Sequence, residues 1–351
     1  MQETMNTTPF EINMAEQPAA LRAIAATKLD GDIVQALQNP WERVIFTGMG
    51  SSHYVTHPIW RHLVAHGLPA WNVDSGVLLD STGLLNDKTL LVATSQSGAS
   101  GEVVALLNQR KAGQLRCGYV LGITANDASP LARQADGFVN IRSGDEATVS
   151  TKSYLNSLAT LFSLRGSLLG PSGKEQENTE QQILAAADAT ERLLQSLDVR
   201  ALAQQAIAGQ GFRLAAVGKG SDVATALYAA LITKEASKVA IEGYAGGEFR
   251  HGPFELAGPG LTTFVYGLNR ALPDAGLVKL AKDVAATGAQ VVAVGDHRLE
   301  QAQHIDVAGG DEFVRLVLGA VVAQKIAVEV AKANAVVPGA FAYGRKVTTS
   351  L

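Results

Sequence analysis

Short apolar runs alternate with longer stretches of helical spacing along the chain. The apolar run at residues 43–47 ends in a Gly/Ser turn at 48–52, and apolar side chains then recur three or four positions apart over 53–66. Residues 89–93 form another run, which ends in the hydroxyl-rich turn at 94–100. Alternating strands and helices predict an α/β fold, in which a parallel sheet carries helices on both faces. Further strands of this half are predicted at 71–73, 118–124 and 138–141.

The second half of the chain repeats this pattern. Residues 213–217 are an apolar run that ends in a Gly-x-Gly-Ser turn at 218–221, 170 positions after the Gly-x-Gly-Ser turn at 48–51. This repeat indicates one module used twice. Neither turn completes Gly-x-Gly-x-x-Gly, because His53 and Val223 hold the sixth position, so we predict no dinucleotide and no other cofactor. Later strands are predicted at 262–266, 291–294 and 305–307, and a long helix at 312–333.

The most loop-like composition inside the chain lies at residues 170–178, and we place the domain boundary there. Residues 1–10 are polar and expected to be loose, and Pro18 suits the first turn of the opening helix. The predicted organisation is an N-terminal helical segment at 1–34, a first domain at 35–170, a linker and connecting helix at 171–198, a second domain at 199–335 and a tail at 336–351.

Composition narrows the class of ligand. The 351 residues are 47% hydrophobic, and 33 acidic against 29 basic side chains leave a net charge of -4 with no long run of either sign. Neither nucleic acid nor a membrane is therefore an expected partner. Cys117 is the single cysteine, which favours a cytoplasmic location. The pairs His53/His57 and His62/His66 have metal-compatible spacing but no third ligand nearby, so no metal is predicted.

The turn at 94–100 has the composition of an anion site. N–H groups at a helix start carry partial positive charge, and small hydroxyl side chains add donors, so a phosphate can bind there without Lys or Arg. The simpler alternative is that Ser97 or Ser100 only caps the helix. In parallel sheets, ligands gather at the carboxyl ends of strands near the point where strand order reverses. We therefore expect residues 50–52 and 95–100 to face one crevice.

A series of motifs runs along the chain: Glu16-Gln17-Pro18, Gly48-Met49-Gly50-Ser51-Ser52, Ser95-Gln96-Ser97-Gly98, Ser129-Pro130-Leu131-Ala132, Ser150-Thr151-Lys152, Lys234-Glu235, residues 242–253 with Glu248, His251, Gly252 and Pro253, and Lys346. In this order and spacing, they make the chain resemble the sugar isomerase (SIS) family, and within it the isomerase half of the glucosamine-6-phosphate synthases and the related fructosamine-6-phosphate deglycases. The resemblance covers nearly the whole chain and implies two SIS domains, each a flavodoxin-like parallel sheet with helices on both faces.

The resemblance implies roles for eleven side chains. Glu235 would shuttle a proton, His251 would open the sugar ring from across a homodimer interface, and Lys346 would meet the sugar carbonyl. The implied phosphate ligands are Ser52, Ser95, Gln96, Ser97 and Ser100, and the implied sugar contacts are Ser51, Ser150 and Thr151.

Each role has a simpler alternative. Glu235 continues the apolar stripe of Leu227 and Leu231 and is expected to be partly buried, although an exposed pair with Lys238 would fit the same spacing. A loop histidine is often only a surface residue, and Ser150 and Thr151 could cap a helix. Lys346 could form a Schiff base or act as a cation, and this stays open.

Two departures from the synthase pattern bear on activity. Position 2 is Gln rather than a cysteine nucleophile, so glutaminase activity is not expected, and Ile232 stands where the synthase carries a further lysine. The hypothesis is therefore degradative: a deglycase-type isomerase/deaminase that releases an amine from a phosphorylated amino sugar or sugar–amine conjugate. The alternatives are a simple keto–aldo sugar-phosphate isomerase and a phosphosugar-binding regulator without catalysis.

Overall fold

A computed structural model describes residues 7–170, 176–269, 271, 274–307 and 311–349. The chain divides into two compact units. The sheet A unit comprises the described parts of residues 19–145, 152–185 and 343–351, and the sheet B unit comprises those of 1–18, 146–151 and 186–342. The chain thus passes to the sheet B unit for six residues at 146–151 before it returns.

Sheet A has five parallel strands in the order β2-β1-β3-β4-β5. Its central strand β3 (Thr89–Thr94) is buried at every position, as an apolar run between two layers of helices requires. The other strands are β1 (Arg43–Gly48), β2 (Ala70–Asn72), β4 (Tyr119–Thr124) and β5 (Gly137–Asn140). The helices in this part of the sequence are α1 (Pro9–Ala15), α2 (Gln17–Ala25), α3 (Gly31–Leu37), α4 (Ser51–Tyr54), α5 (His57–Ala65), α6 (Ser75–Asp80), α7 (Gly101–Lys111), α8 (Pro130–Gln134) and α9 (Lys152–Leu169).

Sheet B also has five parallel strands, in the order β10-β9-β8-β6-β7. Numbered from its own first strand, this order is 2-1-3-4-5, the flavodoxin-like order that sheet A also has. The strands are β6 (Arg213–Gly218), β7 (Glu242–Ala245), β8 (Leu261–Leu268), β9 (Gln290–Gly295) and β10 (Gln303–Ile305). The helices are α10 (Gln176–Ser196), α11 (Arg200–Ala206), α12 (Val223–Ser237), α13 (Gly246–Arg250), α14 (Ala275–Ala286) and α15 (Glu312–Ala333).

Each unit has its own apolar core. In sheet A, Ile45, Leu91 and Val120 pack with Val103 and Leu106 of α7. In sheet B, the corresponding cluster joins strand residues to α13 and α14, and α12 and α15 contact the strands as well. The fold prediction is therefore confirmed: the chain has two doubly covered parallel sheets of one topology.

Three local predictions need correction. The single helix expected at 53–66 is two helices, because Pro58 near the start of α5 has no N–H to continue α4. Strand β7 was not predicted, since Gly243 and its polar neighbours hide the strand pattern. Residues 1–10 were expected to be loose, but the first helix begins at Pro9, where the Thr8 hydroxyl accepts from the N–H of Glu11. Residues 1–6 of that segment, and residues 171–175 of the predicted linker, lie outside the described residues.

Candidate active site

The turn that follows β3 is held in shape by backbone hydrogen bonds. Gly98 has a left-handed backbone (φ 63°), and its N–H donates to the Ser95 carbonyl at 3.0 Å. The Gly98 carbonyl accepts from the N–H of Leu131 at 3.0 Å, and the Gln96 carbonyl accepts from the N–H of Ala125 at 3.0 Å. These contacts fix the turn against the carboxyl end of β4.

The hydroxyl groups of this turn bond to one another rather than cap the helix. The Ser95 and Ser100 Oγ atoms lie 2.9 Å apart, and Ser97 Oγ accepts from the N–H of Ala99 at 3.2 Å. Ser100 occupies the N-cap position of α7, but its side chain makes no capping hydrogen bond. The Ser100 hydroxyl therefore leaves the positive end of α7 uncapped by a side chain, which favours an anion site there.

The turn that follows β1 lies beside this one. Gly48 pairs with Thr94 in the register of β1 and β3. A Cβ atom on Gly48 would come within 2.7 Å of the Ser52 carbonyl oxygen and 2.8 Å of the Thr94 carbonyl oxygen, so only glycine allows this close approach. Ser51 and Ser52 are half-buried at the start of α4. Strand order reverses between β1 and β3, so both turns lie at the switch point of sheet A.

The C-terminal tail reaches the same place. The carbonyl of Thr348 accepts from the N–H of Gly101, the first residue of α7, at 3.1 Å. Lys346 lies two residues earlier in this tail and is half-buried. The sheet A unit thus contains Lys346 and all the predicted phosphate ligands, namely Ser52, Ser95, Gln96, Ser97 and Ser100, as well as Ser51.

The remaining predicted residues, Ser150, Thr151, Glu235 and His251, belong to the sheet B unit. Glu146, which the sequence did not single out, holds Thr151: its carboxylate accepts from the N–H of Thr151 at 2.7 Å and from its hydroxyl at 2.9 Å. Thr151 is wholly buried and precedes α9. His251 is exposed and ends the short helix α13.

Glu235 lies in the last turn of α12 and is half-buried, as its place on the apolar stripe predicts. The alternative placed Lys238 as its exposed ion-pair partner. The Lys238 ammonium instead donates to the main-chain carbonyl of Glu235, and Lys238 itself has a left-handed backbone that ends the helix. Lys238 therefore terminates α12.

The histidine pairs with metal-compatible spacing contact other side chains of the protein. His57 Nδ1 lies 3.0 Å from the Asn72 amide nitrogen, and burial, with His53 and Arg61 nearby, lowers the pKa of His57 to about 4. His57 is therefore neutral at neutral pH. The His62 ring lies 4.3 Å from that of His66. No group of three or more His, Cys, Asp or Glu side chains that could hold a metal occurs among the described residues.

The equivalent switch point of sheet B is closed by ion pairs. The Ser221 hydroxyl donates to the Glu312 carboxylate at 2.5 Å, and buried Asp222 pairs with Arg315. Lys219 Nζ lies 2.9 Å from the Asp274 carboxylate. The two carboxylates that face Ser221 and Arg315 would repel a phosphate, so the repeated fold carries one candidate anion site in sheet A and none at this turn.

A cavity of about 380 Å³ lies between α14 and the segment 297–302. Its lining includes Lys282, His297 and Arg298 but none of the predicted site residues. Arg298 is paired with Asp306 at 2.5 Å, so the positive charge of its guanidinium group is already balanced by a carboxylate.

Residues 39–165 match the SIS domain family. The second unit has the same strand order as the first, so the two units share one fold. The resemblance predicted from the sequence motifs is confirmed at this level. Among the described residues, none of the helices is long and apolar enough to cross a membrane.

Known relatives and solved structures agree with this assignment. Over 217 residues the chain is 29% identical to a glutamine–fructose-6-phosphate aminotransferase of Clostridium perfringens, covering 60% of this chain and 35% of the relative. The chain spans half the length or less of the curated relatives it matches. The C-terminal domain of the glucosamine-fructose-6-phosphate aminotransferase of Francisella tularensis superimposes with a TM-score of 0.80 at 18% identity, over 95% of this chain and 99% of that one.

Two further solved structures share the fold. One is the tagatose-6-phosphate ketose/aldose isomerase of Escherichia coli, with a TM-score of 0.76 and 21% identity over 93% of this chain and 92% of that one. The other is a glucosamine-6-phosphate deaminase of Thermotoga maritima, with a TM-score of 0.70 and 21% identity over 95% and 97%. At these identities the likeness is one of fold.

Proposed function

We propose that this protein is a deglycase-type phosphosugar isomerase/deaminase, which converts a phosphorylated amino sugar or sugar–amine conjugate into a hexose phosphate and an amine. The observation that carries this proposal is the serine-lined N-terminus of α7, which the tail that bears Lys346 also contacts. A phosphate-binding site there, and a lysine in the same unit that meets the carbonyl, would bind the two ends of an open-chain sugar phosphate.

The phosphate would be held by dipoles and hydroxyls. Ser95, Ser97 and Ser100 lie at the start of α7, Ser52 and Gln96 add donors from the same edge of the sheet, and Ser51 beside them would contact the sugar. Because the chain as a whole is slightly acidic, this attraction is local. A dianionic phosphate gains more from these N–H and O–H donors than a neutral sugar does, which selects phosphorylated substrates.

The chemistry is a proton transfer between two adjacent carbons. His251 would assist ring opening, and Glu235 would remove a proton from one carbon and return it to the other through an enolamine. The product is an imine, which water then hydrolyses to a carbonyl and a free amine. Lys346 would either form a Schiff base with the carbonyl or stabilise the developing oxyanion as a cation.

Proteins of the same fold favour a reaction that releases an amine over a simple isomerisation. An aminotransferase and a deaminase, each named for a reaction at an amino sugar, share this fold. The tagatose-6-phosphate ketose/aldose isomerase supports a keto–aldo isomerase as the second candidate. That reaction would use the same proton shuttle without hydrolysis.

The test is a coupled assay for released amine and hexose phosphate, with glucosamine 6-phosphate and fructosamine 6-phosphate as substrates. Glu235→Gln is expected to lower kcat by at least about 100-fold, since a carboxamide cannot move a proton. Glu255→Gln, an exposed glutamate of the same unit, is the control and keeps full activity. Interconversion of fructose 6-phosphate and glucose 6-phosphate, with no amine released from the amino sugars, would support the isomerase instead. Tight phosphosugar binding with wild type and Glu235→Gln equally inert would support a regulator.

A further inference from the structure

The segment at 146–151 is attached to the helices of the sheet B unit by a buried hydrogen-bond chain. The Tyr228 hydroxyl on α12 donates to the main-chain carbonyl of Ser150 at 2.7 Å. The Gln324 side-chain amide on α15 donates to the Tyr228 hydroxyl oxygen at 2.9 Å. Tyr228 and Gln324 are both fully buried. One hydroxyl therefore acts as donor and acceptor at once, and its direction is set by Gln324.

The packing of α12 against α15 makes this chain possible. A Cβ atom on Gly319 of α15 would lie 3.0 Å from the Thr225 methyl carbon of α12, so the absence of a side chain there lets the two helices approach closely. Gln324 and Tyr228 then meet one turn further along the same contact. A buried polar group costs free energy unless it is paired, so a Tyr that only filled the core would be better replaced by Phe.

The same segment is fixed at two other points. The N–H of Ala147 donates to the Asn13 side-chain oxygen at 3.0 Å, and the Glu146 carboxylate accepts from Thr151 as described above. Tyr228 precedes Glu235 by seven residues on α12, which puts both on one face of that helix. The helix that carries the proposed proton shuttle thus also holds the Ser150 main chain.

We propose that Tyr228, oriented by Gln324, is a positioning residue that fixes Ser150 and Thr151 relative to Glu235, so that sugar hydroxyls and the proton shuttle are aligned. This inference rests on the proposed function, in which Ser150 contacts the sugar, while its buried neighbour Thr151 is held by Glu146. The Tyr228 hydroxyl contacts the Ser150 carbonyl and the Gln324 side-chain amide.

The test compares Tyr228→Phe with Tyr266→Phe, which removes the hydroxyl of another fully buried tyrosine in the same unit. Tyr228→Phe is expected to lower kcat/KM for glucosamine 6-phosphate or fructosamine 6-phosphate by about tenfold, the worth of one hydrogen bond. Amide exchange in the peptide that covers residues 146–151 rises in Tyr228→Phe. Tyr266→Phe leaves kcat/KM and this exchange unchanged. Gln324→Met has the effect of Tyr228→Phe, and the double variant loses no more than either.

Three outcomes decide between the proposals. Unchanged kcat/KM in Tyr228→Phe, with an active wild type, would overturn the positioning role and leave the proposed function standing. Faster exchange at 146–151 with unchanged kcat/KM would reduce Tyr228 to an anchor of the main chain and overturn it too. A wild type that neither binds nor converts these sugars, measured by calorimetry and product assay, would overturn the proposed function and with it this inference.

Discussion

Gly98 shows, at the scale of one residue, how the candidate phosphate turn depends on the absence of a side chain. Its backbone is left-handed, and a Cβ atom there would run into the Ser129 hydroxyl and come within 2.8 Å of the Thr124 hydroxyl. The Ser-Gly pair at 97–98 was visible in the sequence, but the neighbours that forbid a larger residue come from the far end of β4 and from α8.

Gly98→Ala is therefore expected to destabilise the fold by about 2–4 kcal/mol, from backbone strain and from a clash inside a packed turn. Phosphosugar binding should fall with it, because the Ser95 and Ser97 main chain must shift. The matched control is Gly113→Ala, which has a similar φ of 72° but nothing within 4 Å of the added Cβ, and should lose only about 1–2 kcal/mol. Urea denaturation measures both. Equal losses would show that the packing around Gly98 yields.

At the scale of an element, α7 differs from α1 and α14 in what the residue before its first turn does. Thr8 before α1 and Asp274 before α14 each accept a hydrogen bond from the N-terminal turn of their helix. Ser100 stands in the same position before α7, but its hydroxyl pairs with Ser95. The sequence left capping and anion binding open for Ser100. The folded turn shows that this hydroxyl does not cap α7, and anion binding stays a prediction.

Ser100→Ala and Thr8→Ala make a direct comparison of these two hydroxyls. Ser100→Ala removes the hydrogen bond to Ser95, and Thr8→Ala removes two between its hydroxyl and Glu11; each variant should lose about 1 kcal/mol of unfolding free energy. Only Ser100→Ala should weaken the binding of glucosamine 6-phosphate, by about tenfold. Calorimetric titration and thermal unfolding of the two variants test this. Equal affinity in both would mean that Ser100 takes no part in an anion site.

The boundaries of an element were predicted where its own residues form a clear apolar run. They were missed where the element depends on pairing with a neighbouring strand. Buried strands such as β3 and β9 are continuous apolar runs, and their places were predicted to within a residue or two. Strand β7 is a short edge strand that pairs only with β6, so its sequence need not be apolar and gave no signal.

For the whole molecule, the two sheets share a topology but not a chemistry. In sheet A the switch point is lined by serines at the start of α7, whereas in sheet B it is filled by Asp222, Arg315 and the Ser221–Glu312 contact. A repeated Gly-x-Gly-Ser turn predicted the repeated fold. It did not show that the sheet B turn is occupied by these contacts, because Glu312 and Arg315 lie about 90 positions further along the chain.

The proposed homodimer also belongs to this scale. His251 is exposed at the end of α13, which suits a side chain that completes a site in a second copy. His251→Ala and Lys346→Ala should each be inactive alone, and a mixture should regain part of the activity once subunits exchange, because one site of each mixed dimer has both residues. Sedimentation gives the oligomeric state. A monomer, or a mixture that stays inactive after proven exchange, would contradict the dimer.

The sequence by itself determined the α/β class, the two modules and the residue types at the strand ends, because burial on both faces of a parallel strand and the freedom of glycine leave local marks. The tertiary structure alone decided which hydroxyls cap a helix and which do not, that the tail at Thr348 reaches the start of α7, and that Tyr228 and Gln324 hold Ser150. These contacts join residues that lie 78 to 247 positions apart, and no local pattern of polar and apolar residues encodes a hydrogen bond over that separation.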